Sequence, residues 1–326
     1  MGVMDTEGKQ YLSNPVFFAD AFNYFLFDGK QVIRPGSLRD QDPTEISVMK
    51  KTGKLATDQK MRDLLRLCTI KRSRHATLVL LGIEAQARIG YMMPVKNNLY
   101  DALNYSAQVE AIRKEHMEKG DLKDGAELMS GFTKKDKILP VITLCICFDS
   151  EAWDAPESLH DMFCKLDPKI KPYINDYRLN LITPQGIRDF TKFSSELGIL
   201  MEFIKNSNDK DRLHDIIETR DEYKSVGVDT VDMINTYTNA KISKEGAEGG
   251  KVDMCTAIQG IYEDGKTEGR KEGRAEGRME GADMLAKLLK LLNPGSKEFD
   301  RALNADEKER RRLYKKYKII DQRPED

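Results

Sequence analysis

Asp63, Glu84 and Gln86 are the residues whose types and spacing could do chemistry. They lie in segments 60–71 (KMRDLLRLCTIK) and 76–88 (ATLVLLGIEAQAR), patterned as neighbouring strands with a short turn between them. The aliphatic run Leu78, Val79, Leu80, Leu81, Ile83 predicts a strand buried on both faces. A charge there is costly unless it is paired, metal-bound or at the strand's wet end. Residues two apart in a strand share a face, so Glu84 and Gln86 project together. If the preceding strand is antiparallel, Asp63 reaches the same spot. Two carboxylates meeting near a strand end make a hard, all-oxygen site suited to Mg2+ or Mn2+, with waters filling the other positions.

Three blocks in order, RDLLR at 62–66, LLGIEAQARIGYMMPVKNNLYDALNY at 80–105 and DKILPVITLCICFDSEAWDAPESLHDM at 136–162, carry a family resemblance. The chain resembles the PD-(D/E)XK nuclease superfamily, and more closely its recombination-promoting nuclease (Rpn) and transposase-like branch, over roughly residues 14–185. That resemblance implies a restriction-endonuclease-like α/β core with a central mixed sheet flanked by helices. It also implies Asp63 and Glu84 as metal ligands, helped by the backbone carbonyl of Ala85, and DNA as substrate. The superfamily's usual last residue is lysine, whereas this chain has Gln86, similar to the E-x-Q variant of the branch. Glutamine can position water but brings no cation, so charge stabilisation must come from the metal or another base. Lys96 and Tyr100 are candidates, four apart and therefore on one face of the helix expected after the strand. The resemblance also places a basic residue near Lys96. In related folds a carboxylate from the first helix can join the site, which points to Asp20; Asp101 is a further candidate. A surface or capping role is the competing reading of both.

Charged residues make up 33% of the 326, above the usual quarter or so, and mean hydropathy is −0.57. The net charge of −1 gives no whole-chain attraction to nucleic acid, so any DNA attraction must be local. Residues 50–74 supply a local source, with nine basic groups against Asp58 and Asp63. Among the nine, Lys60, Arg62, Arg66, Lys71, Arg72 and Arg74 flank the carboxylates and are candidate phosphate contacts, with binding that weakens as salt rises. A solvated basic loop is the alternative. Five cysteines, odd in number and mostly in apolar surroundings, suit reduced thiols in a cytoplasm. No apolar run is long enough to span a membrane, and an ATP-driven motor is not expected.

Along the chain, residues 1–13 read as a flexible lead-in and 14–185 as the nuclease-like domain. Residues 186–245 read as a helical extension, and 246–326 as a Gly/Glu/Arg repeat with a helical tail. Asn14-Pro15 should start a helix that ends before Gly29. A second helix is expected over 94–118, a flexible excursion over 119–136, a buried strand over 137–148, and the last strand over 176–183. Between 265 and 281 a four-residue repeat of Gly, Arg/Lys and Glu stacks like charges at i, i+4. It reads equally as a helix that pairs with a second copy, making a homodimer, or as a charged connector.

The expected function is a metal-dependent DNA endonuclease linked to recombination or mobile-element biology. The rival expectation is a non-catalytic nucleic-acid-binding or interaction protein on a decayed nuclease fold.

Overall fold

The structure, a computed structural model, describes residues 3–41, 63–72 and 75–320. The chain divides into two compact units, Met1–Ala257 and Ile258–Asp326. The first is α/β and spans both the expected nuclease-like domain and the expected helical extension.

The N-terminus differs from expectation. α1 (Val3–Leu12) is a helix, with Met4, Gly8, Tyr11 and Leu12 at helical spacing. Leu12 is fully buried. Gly8 is needed for packing, since a Cβ there would lie 2.7 Å from the Tyr237 hydroxyl and 3.2 Å from Phe148. α2 (Pro15–Phe27) begins as Asn14 and Pro15 predict, the Asn14 side chain accepting from the Val16 amide. It ends at Asp28 and Gly29 in the left-handed region, where a Cβ on Gly29 would strike the Lys192 carbonyl.

β1 (Leu38–Asp40), β2 (Leu64–Arg72) and β3 (His75–Gln86) form an antiparallel meander. α3 (Met93–Lys119) follows, ended by Gly120 in the left-handed conformation. The expected excursion over 119–136 contains α4 (Gly125–Ser130), capped by Asp124. His116 pins the segment, one ring nitrogen against Asp121 and the other against Asp136.

β4 (Val141–Cys147) pairs parallel with β3, and after α5 (Leu159–Met162), β5 (Asn180–Ile182) pairs parallel with β4. The sheet is therefore mixed, in the order β1-β2-β3-β4-β5. Alternation sorts its faces. Leu81, Ile83 and Ala85 share one with Leu144 and Ile146, all buried. Gly82, Glu84 and Gln86 share the other with Thr143, Cys145 and Cys147, and α3 covers this second face, Asp101 accepting from the Thr143 hydroxyl.

Completing the unit are α6 (Leu197–Asn206), α7 (Lys210–Thr219), a two-stranded ribbon of β6 (Val226–Gly227) and β7 (Lys251–Val252), and α8 (Val228–Thr238). α6 packs against α2 and α8, and α8 against α1.

α9 (Met254–Lys290) runs from the end of the first unit into the second, and α10 (Lys297–Asn304) and α11 (Glu307–Lys316) follow. The core of the second unit is Leu288, Leu292, Ala302, Ala305, Leu313 and Tyr314. Among the described residues no helix is long and apolar enough to cross a membrane.

Candidate functional site

The β2–β3 register pairs Leu64 with Ile83, which puts Asp63 opposite Glu84. Their contacts show the convergence. The Asp63 amide donates to Glu84 Oε1 at 3.3 Å, and the Ala85 amide donates to Asp63 Oδ2 at 3.0 Å. Asp63 is 5% exposed and Glu84 0%. Lys96 Nζ lies 2.8 Å from Glu84 Oε2 and 5.8 Å from the centre of the Tyr100 ring. The cluster sits where β3 ends, beside parallel β4, the end of an α/β sheet where ligands generally bind.

The other oxygen of Asp63, Oδ1, is buried without a hydrogen-bond partner among the described residues. Burial pushes the Asp63 carboxyl above its ordinary range, against the opposing pull of the Ala85 amide, Lys96 and Lys9. Burial works against the Lys96 charge, but Glu84 more than offsets it and the ammonium is held above its usual value. Gln86 donates from Nε2 to the Ala85 carbonyl at 2.9 Å, so it already touches the backbone oxygen expected to help with metal.

Two helix carboxylates considered from the sequence are engaged elsewhere. Asp20 accepts from the amides and hydroxyls of Ser194 and Ser195, capping the turn into α6. Asp101 holds Thr143 and Tyr177. The group that sequence reasoning missed is on α1. Asp5 accepts from the Ala87 amide at 3.1 Å, and Asp5 and Lys9 both act electrostatically on Asp63. The helical spacing of Met4, Gly8, Tyr11 and Leu12 was the available signal, obscured by the glycine.

The basic candidates need correction. Arg66 is not presented to solvent: its side chain is 6% exposed, pairs with Asp40 at 2.6 Å, donates to the Ser13 carbonyl and lies over the Phe18 ring. The reason is strand parity, since it lies three positions along the strand from Asp63, an odd offset, and so faces the opposite side of the sheet. Lys71 is exposed on the carboxylate's face, but eight strand residues put it about 26 Å from Asp63. Lys60, Arg62 and Arg74 lie outside the described residues, as does the side chain of Arg72.

A pattern that escapes the sequence reading is Gly260–Thr267, GIYEDGKT, which matches the spacing of a phosphate-cradling loop. Its backbone is helical, inside α9, so its amides point along the helix rather than into an anion nest. A cleft of about 780 Å³ lined by Phe17, Ser195, Arg220, Glu222 and Thr230 shares no lining residue with the carboxylate cluster.

Among the described residues no group of three or more His, Cys, Asp or Glu side chains is arranged to hold a metal. A site here would be a pair of carboxylates completed by water and substrate, the mode Mg2+ commonly uses. No protein-family model, no curated protein and no solved structure matches the chain.

Proposed function

We propose that the protein is a divalent-cation-dependent endonuclease that hydrolyses DNA phosphodiester bonds. One observation carries the proposal: Asp63 Oδ1, buried and without a partner among the described residues, next to the buried carboxylate of Glu84 at a strand end. The three blocks that resemble the recombination-promoting nucleases support the same reading. The donor set fits Mg2+ or Mn2+, with Asp63, Glu84 and the Ala85 carbonyl as ligands. When bound, the cation polarises a phosphoryl oxygen, lowers the pKa of water and stabilises the departing oxygen.

The protein's own residues divide the remaining work. Asp63 and Glu84 would hold the cation. Lys96, 2.8 Å from Glu84 Oε2, would turn its ammonium to the charge building up on the phosphoryl group. Tyr100, beneath Lys96, limits where that ammonium can go. Gln86 exchanges its bond to the Ala85 carbonyl for one to the attacking water. Water oxygen bonds to phosphorus, the bond to the leaving sugar oxygen breaks, and a proton ends on that oxygen. No covalent protein intermediate is required.

The test is magnesium-dependent nicking of supercoiled plasmid by wild type, Asp63→Ala and Glu84→Ala. Each substitution should lower the rate at least about 100-fold, since it removes a ligand of the catalytic cation. Equal nicking by all three overturns the assignment.

A second reading draws on the same geometry. Glu84 is already held by the Asp63 amide and Lys96, as in a structural ion pair, which suits a non-catalytic DNA-binding or interaction protein on a decayed nuclease fold. Salt-dependent DNA binding with no nicking under Mg2+ or Mn2+ would favour it.

The partner proposal is a second copy of the chain, joined through the C-terminal helices. On the exposed face of α9, Arg270, Arg274 and Arg278 follow one another at i, i+4, as do Glu272, Glu276 and Glu280. A Cβ on Gly273, Gly277 or Gly281 would meet nothing within 4 Å. A second copy can set Glu against Arg where a lone helix cannot.

A further inference from the structure

Asn97 is fully buried, and neither its amide nitrogen nor its amide oxygen has a hydrogen-bond partner among the described residues. A buried amide can make up to four hydrogen bonds, and leaving all of them unmade is costly. Native interiors keep such a group where it meets something else, such as water, an ion or a ligand.

Its position identifies what that is. α3 leaves the end of β3 and the next strand is parallel to β3, so α3 runs back antiparallel to both. The bond from the Thr143 hydroxyl to Asp101 Oδ1, 2.6 Å, sets the helix against β4. Four helix residues back from Asp101 is about 6 Å, and two strand residues on from Thr143 is about 6.6 Å. Asn97 therefore sits at the level of Cys145, which is in register with Glu84. Its neighbour Lys96 reaches Glu84 Oε2. Cys145 is buried in register with Glu84, and Glu84, Lys96 and Asp63 all act on it electrostatically. Asp63 Oδ1 and the Asn97 amide, both buried and unpartnered among the described residues, thus lie on the same face of the sheet near the Glu84–Cys145 level.

We propose that Asn97 is a positioning residue of the cation site, its amide holding a water in the shell of a divalent ion bound by Asp63 and Glu84. This inference rests on the metal-site reading above. A neutral amide suits the task, because it fixes the water without adding a third negative charge to a pocket that already buries two carboxylates. It also explains why the position is not aliphatic, although Met93 and Pro94 on the same helix face are.

The experiment uses the full chain and the Asn97→Leu variant, with Mn2+ as probe. Binding is read by electron paramagnetic resonance of free Mn2+, and thermal unfolding is measured in EDTA. Leucine keeps the branched outline of asparagine, with two somewhat bulkier methyl groups in place of its polar atoms. The expected result is a Tm in EDTA about 2–4 °C above wild type, together with Mn2+ affinity about 10–100-fold weaker. A merely structural asparagine gives the opposite stability change, so a lower Tm or failure to fold overturns the proposal. Wild-type Mn2+ affinity in the variant overturns it as well, while leaving the Asp63–Glu84 site standing. If wild type itself takes up no Mn2+, the metal-site reading fails and the role of Asn97 fails with it. Asn97→Asp, which puts a ligand oxygen in the same place, should bind Mn2+ at least as tightly as wild type; weaker binding counts against the role.

Discussion

Replacing Lys96 with methionine isolates the electrostatics of the site. Glu84 is 0% exposed, its Oε2 lies 2.8 Å from the Lys96 ammonium, and its Oε1 accepts a 3.3 Å bond from the Asp63 amide. Methionine keeps the length and apolar stem of lysine but removes the charge, so a buried carboxylate loses its cation. Breaking a buried pair from one side costs roughly 3–5 kcal/mol. Because the Lys96 side chain is 27% exposed and water can follow the vacated ammonium, the low end applies, about 3 kcal/mol. For a unit of this size that is a Tm lower by about 6–12 °C. The assay is urea unfolding at pH 7 in EDTA, on wild type, Lys96→Met, Glu84→Gln and the double variant. The double variant should recover most of the loss, because it leaves no buried charge unbalanced. Mg2+ should stabilise Lys96→Met more than wild type, since in wild type an ion at the proposed site would compete with Lys96 for Glu84. If Lys96→Met unfolds within about 0.5 kcal/mol of wild type, the size of an ordinary surface change, Glu84 does not depend on that ammonium and the reasoning fails.

Other outcomes follow from the same coordinates. Burial raises the Asp63 carboxyl above its ordinary value of 3.8, so its stabilising contribution is complete below that value and is lost as pH rises through the folded-state pKa. The stability of wild type relative to Asp63→Asn in EDTA should therefore decline from acid toward neutral pH, and a pH-independent difference in urea titrations would contradict the burial. Arg66→Ala removes a side chain bonded to Asp40 and Ser13 on the inner face. It should destabilise by about 2–4 kcal/mol while leaving the salt slope of DNA binding unchanged, and a slope smaller by about one unit would make it a phosphate contact after all. Reversing Arg274 and Arg278 to glutamate should convert a dimer to monomer in sedimentation velocity, and an unchanged sedimentation coefficient would exclude pairing through that stripe.

Local patterns in the sequence were enough for much of this protein. Asn14-Pro15 sets the start of α2, alternation places Glu84 and Gln86 on one face, and the four-residue spacing puts Lys96 beside Tyr100. These follow from periods of 2 and 3.6, which each segment carries within itself. Strand parity was equally legible for Arg66, although counting charge along the chain concealed it. Asp5 could not be placed this way, because its position beside Ala87 depends on α1 docking against β3 and α8. Nor could Asn97, whose burial among unsatisfied groups exists only once α3 lies over β4. Asp20 shows the converse: an acidic residue on an early helix is claimed by two serines 174 and 175 residues away. Backbone periodicity is a local property, whereas desolvation and hydrogen-bond satisfaction depend on which distant surfaces meet, and those are decided only when the sheet and its helices close.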